Sequence, residues 1–409
     1  MTASSSSSSP DGTSVLANVR LPDGDIADII MRDGLIADIT AMPSDNDNGA
    51  TRIEGYGMLV LPGLVDGHMH LDKALSGLPW MPHPAGPTRL SRIETEKALR
   101  ASLPPVTERA SNLVRQCVSH GTTAIRSHVD IDPDNKLSHF HALVEVREAF
   151  ADIVDLQIVA FPQSGVLRAP GTSDLLDAAL GEGADVLGGL DPIAIDNDLD
   201  GQLDILFAIA ERHDTGIDIH LHDAGADGLK EINALCERTA ACDLTGRVTV
   251  SHGFCLGAAS PDAFARTADA MAEAGISLAT HGGASSPLPP VMALRERGIE
   301  VFTGNDNVRD TWSPFGNGDM LERAMLLAWR SGYRTDDDLQ VALDCSSGAG
   351  ARILGLEGYG LAVGNRADLF TVDAETPGEA VAQRPRRGIV LKGGRVVARE
   401  GEFSGESGD

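Results

Sequence analysis

Between residues 59 and 303 the chain repeats one pattern: a short apolar run followed by a longer stretch with apolar residues at helical spacing. The short runs are Leu59–His68, Thr122–Val129, Asp155–Phe161, Asp185–Leu190, Gly216–His222, Val248–His252, Ile276–Thr280 and Ile299–Thr303. Amphipathic segments such as Val106–His120, Gly201–His213 and Pro261–Ala274 lie between most of them. Strands separated by helices pair in parallel. Eight such units predict a closed (β/α)8 barrel of the TIM type rather than an open sheet. The run Leu187-Gly188-Gly189-Leu190 reads as a tight barrel corner and not as a phosphate loop.

The two ends of the chain read differently. Residues 27–39 hold a strand, an Asp33-Gly34 turn and a second strand, and residues 367–372 and 388–397 have strand and hairpin patterns. The expected organisation is an unstructured tail over residues 1–13, a β segment over 14–58, the barrel over 59–356 and a second β segment over 357–409. The two β segments would pair into one small β-sandwich domain.

In a barrel of this kind the chemistry sits where strands end. His68 and His70 end the first strand, and His128 and Asp130 follow the second. Gln163 follows the third, His220, His222 and Asp223 the fifth, His252 the sixth, His281 the seventh and Asp306 the eighth. Seven of the twelve histidines therefore fall at one end of predicted strands, where chance would scatter them. Residues two apart on a strand face the same side, so His68 and His70 can converge on one point.

Composition closes off other classes. The formal charge is −27, from 60 acidic and 33 basic side chains with no Lys/Arg-rich run, which argues against nucleic-acid or anionic-membrane partners. No apolar run is long enough to span a bilayer. Cys117, Cys236, Cys242, Cys255 and Cys345 are odd in number, scattered and without a C-x-x-C pair. A disulfide framework or thiolate site is therefore not expected, and a reducing cytoplasm is. There is no G-x-S-x-G elbow, no P-loop, no dinucleotide fingerprint and no small-deaminase zinc signature.

His68 and His70 with His220 and Asp306 would supply three imidazoles and a carboxylate, a first shell for one divalent zinc or iron ion with a position left for water. Such an ion can lower the pKa of its water to about 7. Asp306 would both ligate and take the water's proton. His252 would hold the nucleophile or polarise the leaving group, the alternative being a satisfied core histidine. His222 shares the strand-end geometry of His220 and is a candidate acid or substrate contact. Asp223 reads equally as a proton shuttle or as a carboxylate orienting a histidine.

These segments together resemble the amidohydrolase superfamily and, within it, the cytosine deaminase branch. The resemblance rests on residues 62–73 (PGLVDGHMHLDK), 122–130 (TTAIRSHVD), 157–165 (QIVAFPQSG), 219–223 (IHLHD), 250–252 (VSH) and 304–312 (GNDNVRDTW), and it runs in order over residues 15–400. It implies one metal ion held at His68, His70, His220 and Asp306, with His220 taken over His222, and His252 beside the reactive water. It implies that Gln163 reads the amide-like edge of a heterocycle and that Trp312 shapes the ring pocket. No carboxylated lysine is implied, since strand four ends without one.

Two positions depart from the branch. Cytosine deaminases carry a Glu where this chain has Asp223 and a second Asp where it has Asn307. The His-x-His-Asp run, Lys73 and residues 306–320 look closer to relatives that strip an alkylamine from an s-triazine ring. There Lys73 and His222 become substrate or proton-transfer groups, and Asn307 a substrate contact. For Lys73 the alternative is a loop salt bridge. The expected activity is hydrolysis of a non-peptide C–N bond on a small nitrogen heterocycle with water, by deamination or dealkylamination. Opening of a cyclic amide needs the same activated water, and a non-catalytic binding or assembly protein on the same scaffold is a third reading. Relatives often form homo-oligomers, although no residue here decides the symmetry.

Overall fold

The computed structural model describes residues 13–41, 50–83, 86, 88–283 and 286–405. Most of the expected tail lies outside them; its last residue, Thr13, opens a strand. The barrel is built from eight parallel strands in chain order: Leu64–Met69, Thr122–Asp130, Asp155–Phe161, Val186–Leu190, Ile217–Leu221, Val248–His252, Ser277–Thr280 and Val301–Thr303. The last strand returns to the first through the backbone of Asp306, whose N–H donates to His68 O at 2.7 Å and whose carbonyl accepts from His70 N at 3.2 Å. This closure needs Gly304, because a Cβ there would lie 2.3 Å from His68 O. The same two bonds set Asp306 between the paired histidines.

Helices wrap the strands because their apolar residues recur on one face. In Val106–Ser119 the buried positions include Ala110, Leu113, Val114, Cys117 and Val118, and in Leu199–His213 they include Leu199, Leu203, Leu206, Phe207 and Ala210. Asp198 caps the second of these by accepting from Gly201 N at 2.9 Å, and Ser260 with Pro261 starts Pro261–Glu273. Among the described residues no helix is long and apolar enough to cross a membrane.

The chain ends join, as expected, in one small β domain: a mixed sheet of nine strands among the described residues, with its own core around Leu16, Ile29, Val60, Leu369 and Leu391. The Asp33-Gly34 turn is present, with φ of +53° and +82° as a tight hairpin requires.

Two expectations are corrected. The run Leu59–His68 is two strands: Leu59–Pro62 pairs with Leu369–Val372 in the terminal sheet, and only Leu64–Met69 enters the barrel. The partner switches at Gly63, whose N–H goes to Asp368 O while Leu64 N–H goes to Gly121 O. Leu187–Leu190 is strand interior and not a corner. Glycine is needed at Gly188 because a Cβ would sit 2.7 Å from the Ala160 carbonyl of the neighbouring strand.

Candidate metal centre and active site

The strand ends bring His68, His70, His220 and Asp306 to one point. Asp306 Oδ1 lies 3.5 Å from His68 Nε2 and 3.4 Å from His70 Nε2, and His70 Nε2 lies 3.3 Å from His220 Nε2. Donors about 2.1 Å from a tetrahedral cation lie about 3.4 Å from one another, so these separations suit one shared ion. His68 Nε2 is buried with no hydrogen-bond partner among the described residues, as a lone pair kept for a cation would be. Burial, reinforced by Lys73, pushes the His70 imidazole down to about 4, and burial with the neighbouring histidines holds His220 well below its ordinary value. Neutral imidazoles are the ligating form. Burial alone would raise Asp306, but its contacts with His68 and His70 hold it well below the usual carboxylate range. Three imidazole nitrogens and one anionic oxygen fit a divalent zinc or iron ion.

His68 is oriented from behind. Its Nδ1 meets Ser251 Oγ at 2.9 Å, Ser251 Oγ donates to Asp218 Oδ1 at 2.6 Å, and Arg126 Nη1 donates to Asp218 Oδ2 at 3.0 Å. Since the serine proton goes to Asp218, Oγ accepts from His68 Nδ1–H, which leaves Nε2 free for the cluster. His128 also lies inside this group, its ring 4.2 Å from that of His68 and completely buried.

His252 is buried beside the cluster with both ring nitrogens unpartnered among the described residues, and its φ of +77° is costly for a side chain of this size. His222 stacks on it, with ring centroids 4.2 Å apart and 25° between planes. His281 Nδ1 lies 3.8 Å from Asp306 Oδ2. The carboxylate that holds His222 is Asp191, which takes its backbone N–H at 2.6 Å and meets its Nδ1 at 2.9 Å. Asp223 instead accepts from Arg89 Nη2 at 2.7 Å. Asn307 donates to Asp310 Oδ2 at 2.6 Å.

Lys73 is buried rather than held in a surface loop pair. Its Nζ donates to Gln163 Oε1 at 2.5 Å, sits 3.1 Å from Asp130 and 3.6 Å from Glu96, and lies over the rings of Trp312 at 5.3 Å and Phe161 at 5.5 Å. Trp312 Nε1 donates to Glu96 Oε2 at 2.7 Å. Phe161 in turn packs against His220 at 4.2 Å between centroids, so Lys73, Gln163 and Trp312 adjoin the histidine cluster through one aromatic ring. A cavity of about 570 Å³ lies elsewhere: it is lined by Arg147, Asp155, Asp185 and Arg366 near the starts of strands, and those charges pair with one another.

The amidohydrolase family model matches residues 86–398, more than half of the chain. The chain belongs to the amidohydrolase family. A curated relative, N-isopropylammelide isopropyl amidohydrolase of Pseudomonas sp. (strain ADP), is 34% identical over 358 residues, covering 85% of this chain and 88% of the relative. The solved N-isopropylammelide isopropylaminohydrolase of Burkholderia multivorans superposes with a TM-score of 0.92 at 44% identity, over 96% of this chain and 100% of that one. The 5-methylcytosine deaminase of Klebsiella pneumoniae gives 0.82 at 28% identity, over 95% and 98%. This amidohydrolase is thus a metal-dependent hydrolase acting on carbon–nitrogen bonds other than peptide bonds.

Several of its site residues escaped sequence reasoning. Asp191, Arg89 and Glu96 meet partners more than 100 residues away, and only Asp191 carried a signal, as a carboxylate one position beyond a predicted strand. Ser251 and Asp218 read as ordinary strand residues.

Proposed function

We propose that this amidohydrolase removes an alkylamine from a ring carbon of an s-triazine, using one divalent cation held by His68, His70, His220 and Asp306. The observation that carries the proposal is the convergence of three imidazole Nε2 atoms and Asp306 Oδ1 at 3.3–3.5 Å beside the Lys73–Gln163–Trp312 group. When bound, the cation would supply a water acidic enough to act as nucleophile at neutral pH.

The remaining chemistry falls to the side chains. Asp306 accepts the proton that the attacking water gives up, through Oδ2, the oxygen turned away from His68 and His70. Neutral His252 offers a ring nitrogen to hold that water as its oxygen bonds to the ring carbon. His222, its Nδ1–H committed to Asp191, has a free Nε2 that takes the proton on from Asp306 and delivers it to the nitrogen as the C–N bond breaks. Lys73 and Gln163 hold the polar edge of the ring while Trp312 and Phe161 bound its faces. Water adds, amine leaves, and the product ring carries oxygen where nitrogen was.

The engagement of Asp223 by Arg89 favours this branch over cytosine-type deamination, because a carboxylate already ion-paired is a poor partner for a ring nitrogen. The likeness to 5-methylcytosine deaminase supports release of ammonia from a pyrimidine as a second reading. A panel of N-alkylamino triazines, pyrimidines and cyclic amides, given to metal-loaded enzyme and to Asp306→Ala, separates the readings. Alkylamine released by the wild type and at least about 1000-fold less by the variant is expected, a loss of about 4 kcal/mol of transition-state stabilisation. Ammonia from cytosine would favour the second reading, and a ring-opened acid would overturn both.

A further inference from the structure

The helix Arg89–Arg100, which lies in the chain between the first and second barrel strands, crosses the mouth of the barrel. Arg89, Ile93, Glu96 and Arg100 share one of its faces, and Ile93 and Glu96 are buried. Charge holds much of this face down: Arg100 meets Asp130, Asp132 and Glu96, while Arg89 reaches the far side of the mouth. There its two terminal nitrogens divide, Nη1 to Asp191 Oδ2 and Nη2 to Asp223 Oδ1, both at 2.7 Å.

Those two carboxylates flank His222. Asp191, completely buried at the end of strand four, receives the His222 backbone N–H on Oδ1 and faces the ring Nδ1 with Oδ2. Asp223 is the next residue in the chain. A planar guanidinium fixes the spacing of two carboxylates, whereas a flexible cation would not. Asp191 also sits at φ +33°, a conformation that persists only when its surroundings impose it. Burial, with repulsion from Asp223 and Asp191, pushes the neighbouring Glu231 up to about 8, so it is protonated at neutral pH and Arg89 is set against the charges of Asp191 and Asp223.

We infer that Arg89 is a positioning residue for the reaction proposed above: by holding Asp191 and Asp223 together it fixes the tautomer of His222 and its stacking on His252. An unpaired Asp223 beside the ring would compete for the His222 proton, and an Asp191 released from Arg89 would no longer be held at its angle. The helix thereby orders the proton-delivering imidazole as well as covering the site.

The test compares Arg89→Met, Arg89→Lys, Arg89→Ala and Lys97→Met in the metal-loaded enzyme. Lys97 is on the same helix, but its partners are Asp132 and Asp134, away from His222. Arg89→Met is expected to lower kcat by 10- to 100-fold with KM changed less than threefold and cation content unchanged. Arg89→Lys should recover only part of the loss, and millimolar guanidinium should restore activity to Arg89→Ala, because the Arg89 side chain is 31% exposed. Lys97→Met should keep kcat within twofold. An active wild type whose kcat survives Arg89→Met, or a loss of equal size in Lys97→Met, would overturn the inference. Side-chain ¹⁵N spectra, with the His222 signals identified by their loss in His222→Gln, test it without turnover. The wild type should show the Nδ1–H form, and Arg89→Met a mixture. If no substrate in the panel reacts, the proposed reaction falls, and an unchanged His222 tautomer in Arg89→Met would overturn this inference separately.

Discussion

Replacing Ser251 by Ala strikes the cation site without touching a ligand. Ser251, Asp218 and His68 are all buried, so water cannot replace the lost hydroxyl. The substitution strands two groups: His68 Nδ1–H loses its acceptor at 2.9 Å, and Asp218 Oδ1 loses its donor at 2.6 Å. Each buried group left unsatisfied costs about 1–3 kcal/mol, and Arg126 still holds Asp218 Oδ2, so the apoenzyme should lose about 2–5 kcal/mol. The imidazole is then free to adopt the other tautomer, which turns an N–H toward the cation. Loss of such an orienting partner weakens metal binding by about 10- to 100-fold, equivalent to about 1.4–2.8 kcal/mol. Chelator-competition titrations with zinc measure the affinity, and urea unfolding of apo and loaded protein measures the two stabilities. The loaded form should therefore lose more stability than the apo form, by the binding deficit. A zinc affinity within twofold of wild type would refute the tautomer argument.

Other outcomes follow from the same site. Lys73→Met removes the cation set against Glu96, which Lys73, Arg100 and Trp312 bring down to about 2 against the effect of burial; a buried carboxylate losing its partner should cost about 3–5 kcal/mol in urea unfolding. Burial, with repulsion from Asp223 and Asp191, pushes Glu231 up to about 8 from an ordinary value near 4.5. The folded protein then binds the extra proton between those values, so this group's contribution is full below about 4.5 and falls by about 1.4 kcal/mol per pH unit as pH rises toward 8. Glu231→Gln should gain stability on wild type as the pH rises from 5.5 to 7.5, and parallel unfolding curves would contradict it. Chelation should abolish amine release, and zinc or ferrous iron should restore it.

Much of this was legible in the sequence, for identifiable reasons. Strand periodicity located seven of the eight barrel strands to within about two residues, because each is apolar and bounded by polar turns. The first strand was misjudged: its apolar run continues through Gly63 with no sign that the hydrogen-bonding partner changes there. His68, His70, His220 and Asp306 were visible because strand ends point into the mouth. The environments of Lys73 and Asp223 were not, since they depend on Glu96 and Arg89, which a helix inserted after the first strand carries across the mouth. Nothing local marks that helix as part of the site; its capped, charged sequence reads as a surface helix. Asp191 obeyed the strand-end rule and was passed over because it is a lone carboxylate.

The most direct test of the account is anomalous scattering at the zinc and iron edges from crystals of the purified enzyme, with metal content measured per chain. One peak bonded to His68, His70, His220 and Asp306, with about one equivalent per chain that disappears in Asp306→Ala, is the predicted result. A peak held instead by His128 and Asp218, which with His68 form another group able to bind an ion, would contradict the assignment. So would an active enzyme with no peak at all.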